Sequence, residues 1–320
     1  MLNRRILRIK AFKELFAIEM SKDKSLAIAQ KELDAALEST RDLYLFMLAS
    51  IVPLTNVAKD RIAQTSRKIN KTEQEKNPNF KFAENALAVL FDQDPDFNKI
   101  VKKRGLDNWG AYDLILRKIY ASIQTKEYFL NYMASAERSL KEDCRLFIRI
   151  FEEEFVDRED FDVALEDMNL YWNDDLAYSL TCCCKTLESI AKGAQWSLPD
   201  LYLSDASKAM DDDNAFVHKL LQEAYLNYDK YFEAITSAVP NWDSDRLVGT
   251  DIAIIVTALA EIVYFPNIPL KVSINEYVEI SKYYSTINSK VFVNGLLNKI
   301  IKNMLSTGEI VKSGRGLVEN

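Results

Sequence analysis

The chain has little of the two residues that make tight turns: its 320 residues hold 8 glycines and 7 prolines. Hairpins and short sheet connections rely on both, so the scarcity argues for helices. Histidine is nearly absent. His218 stands alone between Val217 and Lys219 on an amphipathic stretch, a place that suits a surface or core-edge residue better than a catalytic base. There is no P-loop and no Gly-x-Gly-x-x-Gly pattern, which removes the commonest glycine cradles for phosphate. The four cysteines are Cys144 and the run Cys182, Cys183, Cys184. Three adjacent thiols point in different directions on a helix and lack zinc spacing, so reduced, buried thiols in a reducing cytosol are expected. The acids of 152–175 and the run Asp211, Asp212, Asp213 lack the glycine and alternating ligands of a calcium loop, and read as solvated faces or helix caps. No apolar run reaches the roughly 18 residues of a membrane span. These absences predict an all-α, cytoplasmic protein that binds rather than catalyses, with no metal and no cofactor.

What is present is a large apolar fraction, 48%, and an uneven charge that sums to -7. Arg4, Arg5, Arg8, Lys10 and Lys13 all precede the first acid, Glu14. Glu14 and Glu19 speak against a mitochondrial presequence, and the recurring Arg and Lys against a secretory signal. A basic end on an acidic body suits a local site for a polyanion. Leu2, Ile6, Ile9, Phe12 and Phe16 recur at helical spacing and define a core stripe, with Arg4, Arg5 and Arg8 off it. A long helical region is expected from about Lys24, broken near Pro53, and residues 70–80 read as an exposed connector. Residues 250–264 carry a strong stripe ended by Pro266 and Pro269, and Ser273-x-x-Glu276 has the form of a capping box. Asn288 or Ser289 is placed to cap a last helix with Val293 or Phe292, Leu296, Ile300 and Met304 inward.

Residues 144–190 resemble 214–260 at a constant offset of 70. Trp172 aligns with Trp242, Asp175 with Asp245, Glu153 with Glu223 and Ala164 with Ala234, while Phe155 and Phe161 fall opposite Tyr225 and Tyr231. A fainter copy is expected to begin near Tyr112. The spacing predicts a duplicated helical packing unit.

Two segments carry a resemblance. Toward the C-terminus stand Asn241-Trp242, Asp245-Arg246-Leu247, Asp251, Glu261, Ile268-Pro269, Lys271-Val272, Ile274-Asn275-Glu276, Glu279 and Phe292-Val293-Asn294-Gly295. At the N-terminus, RRILRIKAFKELFAIE holds an Arg-rich opening and the pair Leu15-Phe16. Together they are similar to NusB, the bacterial transcription antitermination family, and the long form resembles homologues of the Bacteroidetes lineage. The resemblance implies an all-α core of helical bundles, here with an additional helical insertion that contains the internal repeat. The expected division is 1–70 for the N-terminal part of the core, 71–205 for the insertion, 206–306 for the C-terminal bundle and 307–320 for a flexible tail.

It further implies binding of boxA-like single-stranded RNA together with NusE, a small-subunit ribosomal protein, in an antitermination complex with RNA polymerase that promotes ribosomal RNA synthesis. A single strand needs cations along its phosphates and flat side chains for its bases. Arg4, Arg5 and Arg8 match the Arg-rich motif, with Lys10 a weaker member; the bland alternative is a solvated helix face. Asn288, Ser289 and Lys290 stand at a helix start that favours anions, and Phe292 is placed either to stack on a base or to pack inward. Phe16 and Asp251 match partner-contact positions, against core packing and a helix start. A homodimer of the isolated chain is a further expectation, with no membrane partner. The competing reading is a helical protein-interaction scaffold without RNA binding, its acidic insert docking basic partners. An RNA-methyltransferase domain is disfavoured, because no glycine-rich cofactor site is present.

Overall fold

The computed structural model describes residues 2–21, 25–172, 174–202, 212–239 and 248–317. Among them the regular structure is helical, with one isolated bridge between Leu2 and Tyr202. The chain divides into two compact units, 1–37 with 200–320, and 38–199.

The first unit is a bundle of α1 (Arg4–Ser21), the start of α2 (Leu26–Ala49), α12 (Asp213–Leu226), α13 (Tyr228–Ala238), α14 (Gly249–Tyr264), α15 (Leu270–Tyr284) and α16 (Ser289–Ser306). α14 is its axis: every residue from Asp251 to Ile262 is buried, the pattern of a helix covered on all sides. α1, α12, α13, α15 and α16 all pack on it. α15 does not begin at the Ser273 box. It begins at Leu270, after Pro269, whose fixed φ of -60° suits a helix start. Ser273 lies inside the helix and gives its hydroxyl to the buried Glu261 at 2.7 Å. In α16 Val293, not Phe292, takes the inward place.

The segment after α16 touches the bundle at three points, Ile310, Lys312 and Gly316, and is otherwise exposed up to Leu317. Ile310 and Lys312 are buried, and Lys312 Nζ donates to the carbonyls of Ile262 (2.8 Å) and Phe265 (3.2 Å), capping the last turn of α14. A Cβ at Gly316 would sit 2.0 Å from the Pro266 carbonyl oxygen, so the tail fits only with glycine there. Desolvation lowers the Lys312 pKa to about 8.

The second unit holds the end of α2, α3 (Ile51–Ser66), α4 (Glu73–Lys76), α5 (Ala86–Gln93), α6 (Pro95–Lys103), α7 (Asp113–Ile123), α8 (Glu127–Ala134), α9 (Leu140–Glu154), α10 (Glu159–Met168) and α11 (Leu176–Ala191). The α2–α3 break falls at Ser50, so Pro53 occupies the first turn of α3, where a missing N–H costs nothing. A true capping box occurs at Thr72 and Glu75, inside the expected connector.

The duplicated unit has a plain structural form. α9, α10, a 3₁₀ turn at Leu170–Trp172 and α11 are followed in the same order by α12, α13 and α14. Phe161 and Tyr231 are both fully buried, while Trp242 and Asp245 lie outside the described residues. The fainter copy begins earlier than Tyr112: α5, α6, a 3₁₀ turn at Asn108–Tyr112 and α7 repeat the order, with Trp109 in the place of Trp172. The two indoles act alike. Trp172 Nε1 donates to the Ser39 carbonyl at 2.9 Å and Trp109 Nε1 to the Phe46 carbonyl at 2.8 Å, two turns further along α2. Phe46 lies against both rings, at centroid distances of 4.3 Å and 5.3 Å.

Replacing either tryptophan by phenylalanine keeps most of the ring area and removes the buried N–H donor. Each variant is expected to lose about 1 kcal/mol of stability in urea unfolding followed by circular dichroism. The double variant is expected to lose more than the sum, because both rings share Phe46.

Candidate nucleic-acid interface

α1 runs beside α15 in the same direction. Arg5 pairs with Glu276, and two turns further Phe12 meets Tyr284, with ring centroids 5.2 Å apart. α1 runs opposite to α14, since Arg8 meets Glu261 near one end of α14 while Phe16 lies against Gly249 at the other.

The arginines therefore differ in role. Arg8 is buried, and its Nε and Nη2 donate to Glu261 at 2.7 and 2.9 Å. Glu261 also accepts from Ser273 and from Tyr277 (3.3 Å), so its oxygens are fully engaged. Burial works against the Arg8 charge, but the Glu261 carboxylate outweighs it and holds the pKa above its ordinary value. Arg4, at 30% side-chain exposure, donates to Asp213 at 2.9 Å and lies 4.8 Å from the Phe216 ring centre. Arg5 is the open member, with 52% of its side chain exposed and a two-pronged pair to Glu276. Its hydrogen bonds hold the Glu276 carboxyl below the usual range in spite of partial burial. Lys10 is buried. Arg8 and Lys10 thus present no surface to a polyanion, which corrects their placement on an outward face.

The turn before α16 lies at the other end of α1 from the arginines. Asn288 and Lys290 are exposed there, Phe292 is half-buried and Ile287 is 96% exposed. Asn288 holds the cap position without a side-chain cap bond. Ser289 is buried: its hydroxyl donates to Asp251 Oδ2 at 2.8 Å and accepts from the Thr286 N–H at 3.1 Å. Asp251, buried at the start of α14, is the anchor of that turn and not an exposed carboxylate beside Phe16. Its Oδ1 has no hydrogen-bond partner, and desolvation raises its pKa against the pull of Ser285 and Ser289. Phe16 is half-buried, and a Cβ at Gly249 would stand 3.3 Å from its ring.

One residue bridges the two ends. Lys13, half-buried, holds its ammonium 5.5 Å from the Tyr284 ring centre, between Arg5 and the 285–288 turn. It was visible in the basic run, but its place on the Arg5 edge needed the α1–α15 pairing.

The model of the NusB family matches residues 183–302. Three proteins named transcription antitermination protein NusB are similar to the chain. The one from Salinibacter ruber is 33% identical over 112 residues, which span 34% of this chain and 70% of that protein. The one from Alkaliphilus oremlandii is 36% identical over 92 residues, 29% of this chain and 67% of that protein. The chain belongs to the NusB family. The NusB protein of Chloroherpeton thalassium is 36% identical over 132 residues, 41% of this chain, and the match spans 60% of its length. No solved structure matches the chain. The NusB match runs from within α11 to the last turns of α16, and so includes Glu261, Glu276 and the Asp251–Ser289 lock.

Two variants separate the arginines. Arg8→Ala is expected to lose about 3–5 kcal/mol of unfolding free energy, because it strands a buried carboxylate. Arg5→Ala is expected to stay within about 1 kcal/mol in the same urea titration, as a surface pair should.

Asp251→Asn tests the lock by pH. The folded-state pKa of Asp251 lies above its unfolded value, so ionisation costs the native state stability as pH rises from about 4. The thermal midpoint of Asp251→Asn, relative to the unaltered protein, should therefore climb between pH 4 and pH 7.

Proposed function

We propose that this protein is a transcription antitermination factor that binds boxA-like single-stranded RNA together with NusE, within an RNA polymerase complex that sustains ribosomal RNA synthesis. The observation that carries the reading is the order of side chains along the α1–α15 edge: Arg5, then Lys13 over Tyr284, then Asn288 and Lys290 at the start of α16. Arg5 and Lys13 are eight residues apart, about 12 Å along the helix, a reach suited to an extended strand. Membership of the NusB family, and the names of the three relatives, support the same reading.

In this reading Arg5 and Lys13 meet phosphates, and Arg4 adds charge behind them. Arg5 must exchange part of its Glu276 pair for the RNA, which sets a threshold against weak anions. Asn288 and Lys290 line the helix start, whose dipole favours a phosphate. Phe292, half-buried, is the proposed stacking contact for a base. Arg8, Lys10, Ser289 and Asp251 serve by position: they hold α1 and the turn where the exposed groups need them. Phe16, half-buried at the start of α14, is the proposed contact for NusE.

Fluorescence anisotropy of labelled boxA-like RNA with the protein and NusE tests this. Arg5→Ala and Lys13→Ala are each expected to weaken binding several-fold and to shrink the log-log salt slope by about 0.7 for each phosphate that is no longer neutralised. Unaltered affinity and slope in both variants would refute it.

A further inference from the structure

Residues 280–308 hold four lysines, Lys282, Lys290, Lys299 and Lys302, and no acid, in a chain whose charge sums to -7. The stretch covers the end of α15, the 285–288 turn and α16. Three large apolar side chains stand open around that turn: Tyr283 at 69% exposure, Ile287 at 96% and Val291 at 77%. A single exposed apolar residue needs no explanation. Three so close together in the chain, set among lysines, have the character of a contact surface.

Tyr283 belongs to the α1–α15 edge. On α15, Glu276, Glu279 and Tyr283 are three and four residues apart and share one stripe. That stripe faces Arg5, which donates to Glu276 and feels the charge of Glu279. The two helices run in the same direction. Eight residues beyond Arg5, Lys13 holds its ammonium 5.5 Å from the ring of Tyr284, eight residues beyond Glu276. Tyr283 is therefore level with Lys13, and its ring is the exposed one of the two, since Tyr284 is half-buried. Lys282 sets its ammonium 5.0 Å from the Tyr283 ring centre and 3.4 Å from Glu279, so the acid of that turn is answered beside the ring.

We propose that Tyr283 is a base-stacking platform of the single-strand site. The inference rests on the RNA reading above and adds to it a residue that takes a base level with Lys13. A single strand brings phosphates for Lys13, Lys282 and Lys290 and a flat, apolar base for the ring in one ligand. A strand whose phosphates meet Arg5 and then Lys13 carries a base past Tyr283. A protein segment would have to be acidic and apolar at once to suit the same surface, and the test separates that case. Because the ring is uncharged, it contributes affinity without a share in the salt dependence.

The test is fluorescence anisotropy of labelled boxA-like RNA with the protein and NusE, over a range of salt, with a set of RNAs that each lack one base. Tyr283→Ala is expected to weaken binding of the intact RNA about tenfold at an unchanged log-log salt slope. Tyr283→Trp, which keeps a stacking ring, is expected to hold the affinity. Against one RNA of the set Tyr283→Ala should bind as tightly as the unaltered protein, because the partner of the ring is already gone. The position is exposed, so both variants keep their fold, as circular dichroism will check. Affinity unmoved by Tyr283→Ala, an equal loss against every RNA of the set, a flatter salt slope, or weaker binding of NusE alone would each overturn the inference. If Arg5→Ala and Lys13→Ala weaken binding and Tyr283→Ala does not, this inference alone falls; if none of the three matters, the RNA reading falls with it.

Discussion

The bundle of α1, α14 and α15 depends on one buried ion pair, Arg8 with Glu261. Neither charge reaches water, so each is tolerable only because the other, with Ser273 and Tyr277, satisfies it. The pair is directional. A planar guanidinium donating along two parallel bonds accepts only one register of α1 against α14. That register brings Arg5 to Glu276, Phe12 to Tyr284 and Phe16 to Gly249. Everything exposed along the α1–α15 edge is therefore set by residues that face inward.

A second constraint governs the unit of residues 38–199. There the end of α2 serves as a rail, and two indole N–H groups dock on its carbonyls two turns apart. The carbonyls repeat because the helix repeats; a copied helix-helix-turn-helix unit can add along such a rail wherever a tryptophan finds the next acceptor. Thr40, which donates to the buried Asp175 at 2.6 Å, fixes the start of α11 on the same rail. Growth by duplication thus needs a retained hydrogen-bond donor as well as a retained apolar face.

The helices were legible in the sequence because most are amphipathic, and burial follows the 3.6-residue period in α16 through Val293, Leu296, Ile300 and Met304. The repeat was legible only in part: Trp172 marked one copy, its sequence counterpart Trp242 lies outside the described residues, and Trp109, which makes the matching hydrogen bond, stands just before the point where the fainter copy was expected. The buried charges were not. Reading charge as outward is sound for an isolated helix, yet α1 buries Arg8, Lys10 and Glu14, and only the partner elements reveal why. The Ser273-x-x-Glu276 pattern misled for the same reason: both side chains answer to tertiary partners, Glu261 and Arg5, instead of a local backbone N–H. Asp251 and Ser289 look like two independent site residues in the chain and are one hydrogen-bonded lock in the fold. The tail offered no periodicity to read, because its hold comes from Lys312 on two carbonyls and from a close approach at Gly316.

An acidic protein can hold a polyanion only if its charge is local. At physiological ionic strength a charge is felt over about 8 Å, so a net sum of -7 does not by itself decide the field at Arg5 and Lys13. What matters is the charge within that radius, and near Arg5 it is Glu276 and Glu279 that count. Both lie on α15, and Glu276 is already spent on Arg5. In the proposed binding an approaching phosphate would compete with a carboxylate of known position, so that binding would be an exchange of partners. Exchange would favour an anion that brings several phosphates in line over one that brings a single charge, because only the former would also engage Lys13 and the start of α16. Selectivity of that kind would follow from spacing, and the spacing is set by the buried pair beneath it.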